Sequence, residues 1–293
     1  MKRLKILIPA ILFTAVIFAQ QNSQVKIPFK MEEITSPQFP IAVEKSGGVC
    51  VIPLGVIEKH GPHLPLGTDM FEAREIAFRA AKSEYAIVFP PYYVSQIFEG
   101  KHQPGTIAYS NELMWKMLEE TCSELSRNGL KKIILDNGHG GNNNFLAYFC
   151  QSQLDKPHDY VIVLFQPRPG KEAEKKIEAL KRSKLDGHAG EEETSMMNVI
   201  RPDLVNNAAA KDESGSDMAR LKVPYGYTGI WWYARYPNHY AGDGSIYSRE
   251  LGEILLDTDA AQLAELIRFL KKDNSIKELQ EQFYMKTANP LLK

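Results

Sequence analysis

The chain predicts an α/β fold, with a largely parallel sheet covered by helices on both faces. Two observations carry this. Short apolar runs of strand length alternate with amphipathic stretches of helix length. The best of those runs is nearly continuous in its hydrophobicity, as buried parallel strands are. A third observation concerns function. Segments rich in Gly and ligand-type side chains follow two of the runs, where open α/β sheets place their chemistry.

The elements follow in order. Lys2, Arg3 and Lys5, then an apolar stretch from Ile6 to Phe18 and the small residue Ala19, read as a secretory signal over residues 1–19. It is too short for a good membrane span. Residues 20–44 form a lead-in arm, polar and irregular to about Glu33, and residues 45–293 form one domain. A strand is expected at 49–54, followed by a polar loop and a helix over 70–81 with Thr68 and Asp69 as caps. Strand 86–89 comes next. Helix 111–128 is stopped by Gly129. Strand 132–136 runs through a second polar loop into helix 143–154. Strand 160–165 and helices over 171–184, 190–200, 257–272 and 275–285 complete the pattern. Residues 212–248, rich in Gly, Pro, Tyr and Trp, lack periodicity. Long excursions of that kind in compact domains are often functional.

The formal charge is −1, or −4 once Lys2, Arg3 and Lys5 leave with the signal. No basic stripe is present, which argues against nucleic acid or an anionic membrane as partner. Cys50, Cys122 and Cys150 are an odd number in apolar or helical settings. They fit buried free thiols better than a disulfide framework, with one pairing left open.

Three segments carry candidate chemistry. In the first, Glu58 and His60 are two apart in an extended run and face one point, and Asp69 returns after a Gly/Pro turn. Carboxylates with imidazole suit Zn²⁺, Mn²⁺ or Fe²⁺, and a shared Asp is a way to hold two ions. A hydrogen-bonded turn capping the next helix is the plainer reading. His63, between two prolines, suits packing or support of a ligand. In the second segment, Asn137 to Asn142, His139 stands among glycines beside the first cluster and reads as a further ligand. The loop lacks the Lys-Ser/Thr of a phosphate-binding loop. In the third, Glu191 and Glu193 open a helix two positions apart and cannot share one face. An acidic first turn favoured by the helix dipole would explain them equally. His188 just ahead is a candidate general acid/base or transition-state donor. Glu99 and His102 stand beside the Pro104-Gly105-Thr106 turn and are candidates to approach the site. His158 and His239 are read as structural.

The motifs Glu58-Lys-His60…Asp69, Asn137-Gly-His139-Gly-Gly-Asn142 and His188-Ala-Gly-Glu191-Glu-Glu193-Thr-Ser resemble those of the creatininase (creatinine amidohydrolase) family. The likeness runs from about residue 45 to 270, and its first motif is the most specific. It implies a three-layer α/β/α fold, homo-oligomers and a metal-dependent hydrolase of cyclic or linear C–N bonds in a small molecule. It implies two divalent ions per chain, Zn²⁺ and/or Mn²⁺ or else Fe²⁺. Glu58, Asp69 and His139 would hold one; His60, Asp69 and a glutamate the other. In creatininase that glutamate lies two residues after the histidine matching His139, a place taken here by Gly141. Glu191 is expected to substitute, with Glu193 next; His188 and Glu193 are the expected catalytic pair.

The chain departs from the family at Gly140, where creatininase has an aromatic residue, and over 229–244. Creatinine is therefore a doubtful fit as substrate. Trp231, Trp232 and Tyr233 are either a replacement pocket wall or core and oligomer contacts. A signal sequence places the enzyme in the periplasm or outside the cell, free of the membrane after cleavage. The other readings are a metallo-phosphoesterase, a metal- or small-ligand-binding protein without turnover, and an interaction protein using the Trp231–Tyr236 loop.

Overall fold

The computed structural model describes residues 27–291. The proposed signal sequence lies outside them. The arm contributes short 3-10 turns and α1 (Phe39–Ser46), which the periodicity did not flag. Pro40 in its first turn and Gly47 just past its end are the local signals for that helix. Then come β1 (Val49–Leu54), α2 (Thr68–Ser83), β2 (Ile87–Val88), α3 (Asn111–Arg127), β3 (Lys132–Asn137), α4 (Asn143–Ser152) and β4 (Val161–Leu164). Beyond the sheet lie α5 (Lys171–Leu180), α6 (Glu191–Ile200), α7 (Trp231–Arg235), α8 (Arg249–Lys272) and α9 (Ser275–Ala288). The expected helix at 257–272 starts eight residues earlier, where the Ser248 hydroxyl accepts from the Leu251 N–H and caps it. Among the described residues no helix is long and apolar enough to cross a membrane.

The sheet order is β2-β1-β3-β4, all parallel. Strand side chains alternate between two helix layers. Val49, Val51 and Ile134 pack with Ile76, Ala77 and Ala80 of α2 and Leu256, Leu263 and Ile267 of α8. Cys50, Ile52, Ile133 and Leu135 pack with Leu118 and Cys122 of α3 and Leu146 and Phe149 of α4. This is the three-layer α/β/α arrangement. Each fully buried Leu or Ile contributes on the order of 2 kcal/mol. The three cysteines are free, Cys50 and Cys122 buried and Cys150 half-buried.

The topology fixes where a site can form. From β1 the chain crosses to β2 on one side, then returns to β3 on the other. The helix following β1 packs on one face and the helix following β3 on the opposite face. Their loops diverge at the carboxyl ends of β1 and β3 and open a crevice at this switch point.

Candidate active site

That crevice receives the first two motifs. Residues 55–67 leave β1 and lead to α2, which starts with Thr68 and Asp69 inside the helix and Gly67 at the cap position. Asp69 thus does not cap; its carboxylate faces the crevice. Its backbone is clasped from two sides. A Cβ on Gly55 would come 2.6 Å from the Met70 nitrogen, and one on Gly138 would come 2.4 Å from the Asp69 carbonyl oxygen. Only glycine permits these approaches.

Asp69 presents one oxygen to each of two donor sets. Its Oδ1 lies 2.7 Å from His60 Nε2, and its Oδ2 lies 3.2 Å from His139 Nδ1. Glu58 Oε1 lies 2.7 Å from the same His139 nitrogen. Glu58 Oε1 and Asp69 Oδ2 are buried, and although His139 Nδ1 is close, neither makes a well-aligned hydrogen bond. Orphaned buried oxygens are costly in an apolar interior, and a cation satisfies them. The donor set therefore fits divalent metals of the kind that take carboxylate and imidazole ligands.

The third motif supplies Glu193. The chain reverses at Ala189, whose φ of 55° is left-handed, and His188 and Ala241 exchange backbone hydrogen bonds. Glu193 Oε2 accepts from the Ala189 N–H at 2.5 Å and lies 3.8 Å from His60 Nε2. Glu191 does not join the cluster, which corrects the expectation. Its buried carboxylate turns away, accepting from the Arg182 N–H at 2.9 Å and the Ser183 N–H at 2.6 Å. Helical geometry separates the two glutamates as foreseen, with Glu193 facing the cluster and Glu191 facing away.

Charge explains the proton distribution. Burial would lift the Glu58 carboxyl, but the nearby His139 and His188 and the hydrogen bond from His239 hold it well below its usual range. Burial would lower His60, but Asp69 and Glu58 raise it to about 10. His139 is raised well above its usual value against the same opposition, chiefly by Glu58. Burial, only partly offset by His60, lifts Glu193 to about 7. Burial lowers His188 to about 3, so its ring is neutral. His188 Nε2 faces the Lys59 carbonyl oxygen at 2.9 Å, so that nitrogen carries the proton and Nδ1 holds the lone pair.

The mouth of the crevice is a cavity of about 330 Å³ lined also by Glu99, Gly141, Tyr227, Trp231 and Trp232. Trp231 and Trp232 thus form a wall, while Tyr233 is exposed and packs against His102. Glu99 Oε1 lies 3.7 Å from His139 Nε2. Burial would raise the Glu99 carboxyl, and His139 lowers it below its usual range. His102 stays outside, bonded to the Pro237 carbonyl oxygen. His63 supports the site from behind, bonding the Thr194 hydroxyl at 2.8 Å. His158 packs on Tyr160, as expected. His239 is not the bystander the sequence suggested. It is buried, lines the cavity and bonds Glu58. Pro237-Asn238 ahead of it signals a turn, but nothing local says that this turn folds back onto a residue 181 positions away.

The creatinine amidohydrolase family model matches residues 32–267. The chain is 25% identical to the creatinine amidohydrolase of Pseudomonas putida over 255 residues, covering 80% of this chain and 95% of that protein. It is 32% identical over 163 residues to the mycofactocin precursor peptide peptidase of Mycolicibacterium smegmatis, covering 53% of this chain and 59% of that one. A crystal structure of creatininase superposes with a TM-score of 0.71 at 22% identity, over 84% of this chain and 99% of that chain. Solved creatininases include a Zn–Zn type and a Mn form. With a family model spanning most of its length, a matching three-layer fold and the carboxylate–histidine cluster at its switch point, this chain belongs to the creatininase family of metal-dependent amidohydrolases.

Proposed function

We propose that the chain hydrolyses a non-peptide C–N bond, an amide, cyclic amide or amidine, in a small molecule that enters the aromatic-walled cavity. The observation that carries this is Asp69, whose two oxygens face two separate donor sets. Glu58, Asp69 and His139 would hold one divalent ion, and His60, Asp69 and Glu193 the other. Zn²⁺ and Mn²⁺ suit these donors, with Fe²⁺ next. Bound there, two such ions supply an activated water and polarise the carbonyl or amidine carbon under attack.

The protein's own groups do the rest. Neutral His188, its Nε2 proton held by the Lys59 carbonyl, offers Nδ1 to take a proton and return it to the departing nitrogen. Glu193 completes the second donor set. Trp231 and Trp232 give a flat group a stacking wall. Glu99, charged and facing the same cavity, is an acceptor for substrate N–H groups. Among the described residues the cavity lining contains no Lys or Arg, which counts against a phosphate ester as substrate. Gly140 and the segment carrying Trp231 and Trp232 are where the sequence departs from the creatininase pattern, which argues against creatinine itself as the substrate. The name of the Methanobrevibacter smithii relative, a formylaminopyrimidine deformylase 35% identical over 97 residues, points the same way, toward varied amide substrates.

Export follows from residues 1–19, and the enzyme then acts in the periplasm or outside the cell. Amino-terminal sequencing of the envelope-fraction protein is expected to begin near Gln20. We also assign a homo-oligomer, read by its mass in solution. The deciding experiment is elemental analysis of the wild type beside Asp69→Ala. About two divalent ions per chain, lost together in the variant, support the reading. A wild type that neither holds nor takes up metal overturns it, and metal without turnover of any amide, lactam or amidine leaves a binding protein.

A further inference from the structure

Trp232 and His239 form a hydrogen-bonded file that ends on the proposed ligand Glu58 and that the ligand assignments leave out. The Trp232 indole Nε1 donates to His239 Nδ1 at 2.8 Å, and His239 Nε2 meets Glu58 Oε2. An indole N–H can only donate. His239 Nδ1 therefore holds a lone pair, and the ring proton sits on Nε2, which donates it to the carboxylate. Two consequences follow. The His239 Nε2 is therefore closed to a cation. This excludes an ion at Glu58, His188 and His239, although ligand atoms of the three lie within 4.8 Å of one another. Moreover, Glu58 Oε2 is occupied by His239, so only Oε1 remains for the set that includes His139 Nδ1.

The backbone is arranged around this contact. His239 has a φ of 54°, a left-handed conformation that a non-glycine residue adopts at a cost and that persists where surroundings enforce it. Its carbonyl accepts from the Gly61 N–H, which ties it to the first motif. Gly100 leaves the ring its space, since a Cβ there would come 2.9 Å from His239 Nε2.

We propose that His239 is a positioning residue that fixes Glu58 as a one-oxygen ligand, and that the cavity-wall residue Trp232 sets the tautomer by which it does so. The aromatic wall and the metal centre are thereby linked. A ligand that shifts Trp232 changes metal affinity, and metal occupancy changes the affinity for that ligand by the same factor. This inference rests on the two-ion reading above.

The test is chelator competition with Zn²⁺ and Co²⁺, together with the visible absorption of the Co²⁺ protein. In His239→Ala, affinity for one ion falls about 10- to 100-fold, as losses of such supporting groups do, and the Co²⁺ spectrum shifts. His239→Gln, which can put an amide N–H near the place of Nε2, recovers most of that affinity. Trp232→Phe keeps an aromatic wall, removes the indole N–H, and gives a smaller loss in the same direction. Folded His239→Ala or Trp232→Phe with wild-type affinity overturns the linkage, as does a Gln variant no better than Ala. Any of these results with a wild type that binds two ions refutes this inference and leaves the two-ion reading standing. Wild type that takes up no ion refutes the metal reading and this inference together.

Discussion

Replacing Gly141 by Ala is the most informative single change to the site. A Cβ at that position would lie 2.4 Å from His139 Nε2 and 2.1 Å from Glu99 Oε1. Ordinary contact begins at 3.4 Å, so the His139 ring must retreat by about 1 Å. Glu99 is the end of a flexible chain and can swing away. The ring cannot do so cheaply, because its other nitrogen stands 2.7 Å from Glu58 and 3.2 Å from Asp69. Metal–ligand bonds tolerate about 0.2 Å. Gly141→Ala is therefore expected to lose the ion of the His139 set, keep the ion of the His60 set, and lose roughly 10²-fold in rate. Gly140→Ala is the built-in control, since a Cβ there meets nothing within 4 Å. Elemental analysis and turnover of both variants decide the matter. Gly141→Ala with two ions and full rate would refute the geometry, and so would a Gly140→Ala equally damaged.

Other expectations follow from the same coordinates. Glu193→Gln should abolish turnover with little change in melting temperature. Glu191→Gln should keep turnover but lose about 1–3 kcal/mol of stability, because its carboxylate holds two backbone amides. Kinetics and thermal melts on the pair separate the roles, and a reversed pattern restores the original assignment. Asp136 is buried, with Oδ2 unpartnered; burial first and Asp259 second raise its pKa well above the usual value. A raised folded-state value means stability present below about pH 4 and lost as pH rises. Asp136→Asn should therefore gain stability at pH 7 and none near pH 3; equal gains at both would be contrary. His60, raised to about 10, must shed its proton to ligate. Metal uptake at pH 7 should therefore release protons, and affinity should climb with pH over 6–9. Calorimetry in buffers of different ionisation enthalpy reads this, and no proton release would contradict the charge assignment.

How much of this was legible in the chain depends on how local each signal is. Glu58, His60, Asp69 and His139 sit directly after β1 and β3, and the alternation that predicts a parallel sheet also predicts that these loops share one edge. The strands and most helices were readable for the same reason. The choice between Glu191 and Glu193 was not, because it turns on where residues 182 and 183 present their amides, a matter of tertiary folding. His239 was hidden more deeply, and the Trp231–Trp232 wall was legible only as one of two open alternatives. Their segment has no periodicity, and its place in the cavity is set by contacts such as the Lys59–Glu213 ion pair across 154 positions. Helix α1 was missed although its Pro and Gly signals were present.

The glycine clasp around Asp69 has an evolutionary consequence. The metal-facing half of the site is anchored to the sheet through Gly55 and Gly138, whereas the aromatic wall of the cavity, Tyr227, Trp231 and Trp232, hangs on the separate excursion of residues 212–248. Insertions and replacements in that excursion leave the clasp untouched. A lineage built this way can trade substrates while inheriting one reaction. The contact of His239 with Glu58 is the toll on that freedom, since each new excursion must still deliver a donor to the same carboxylate.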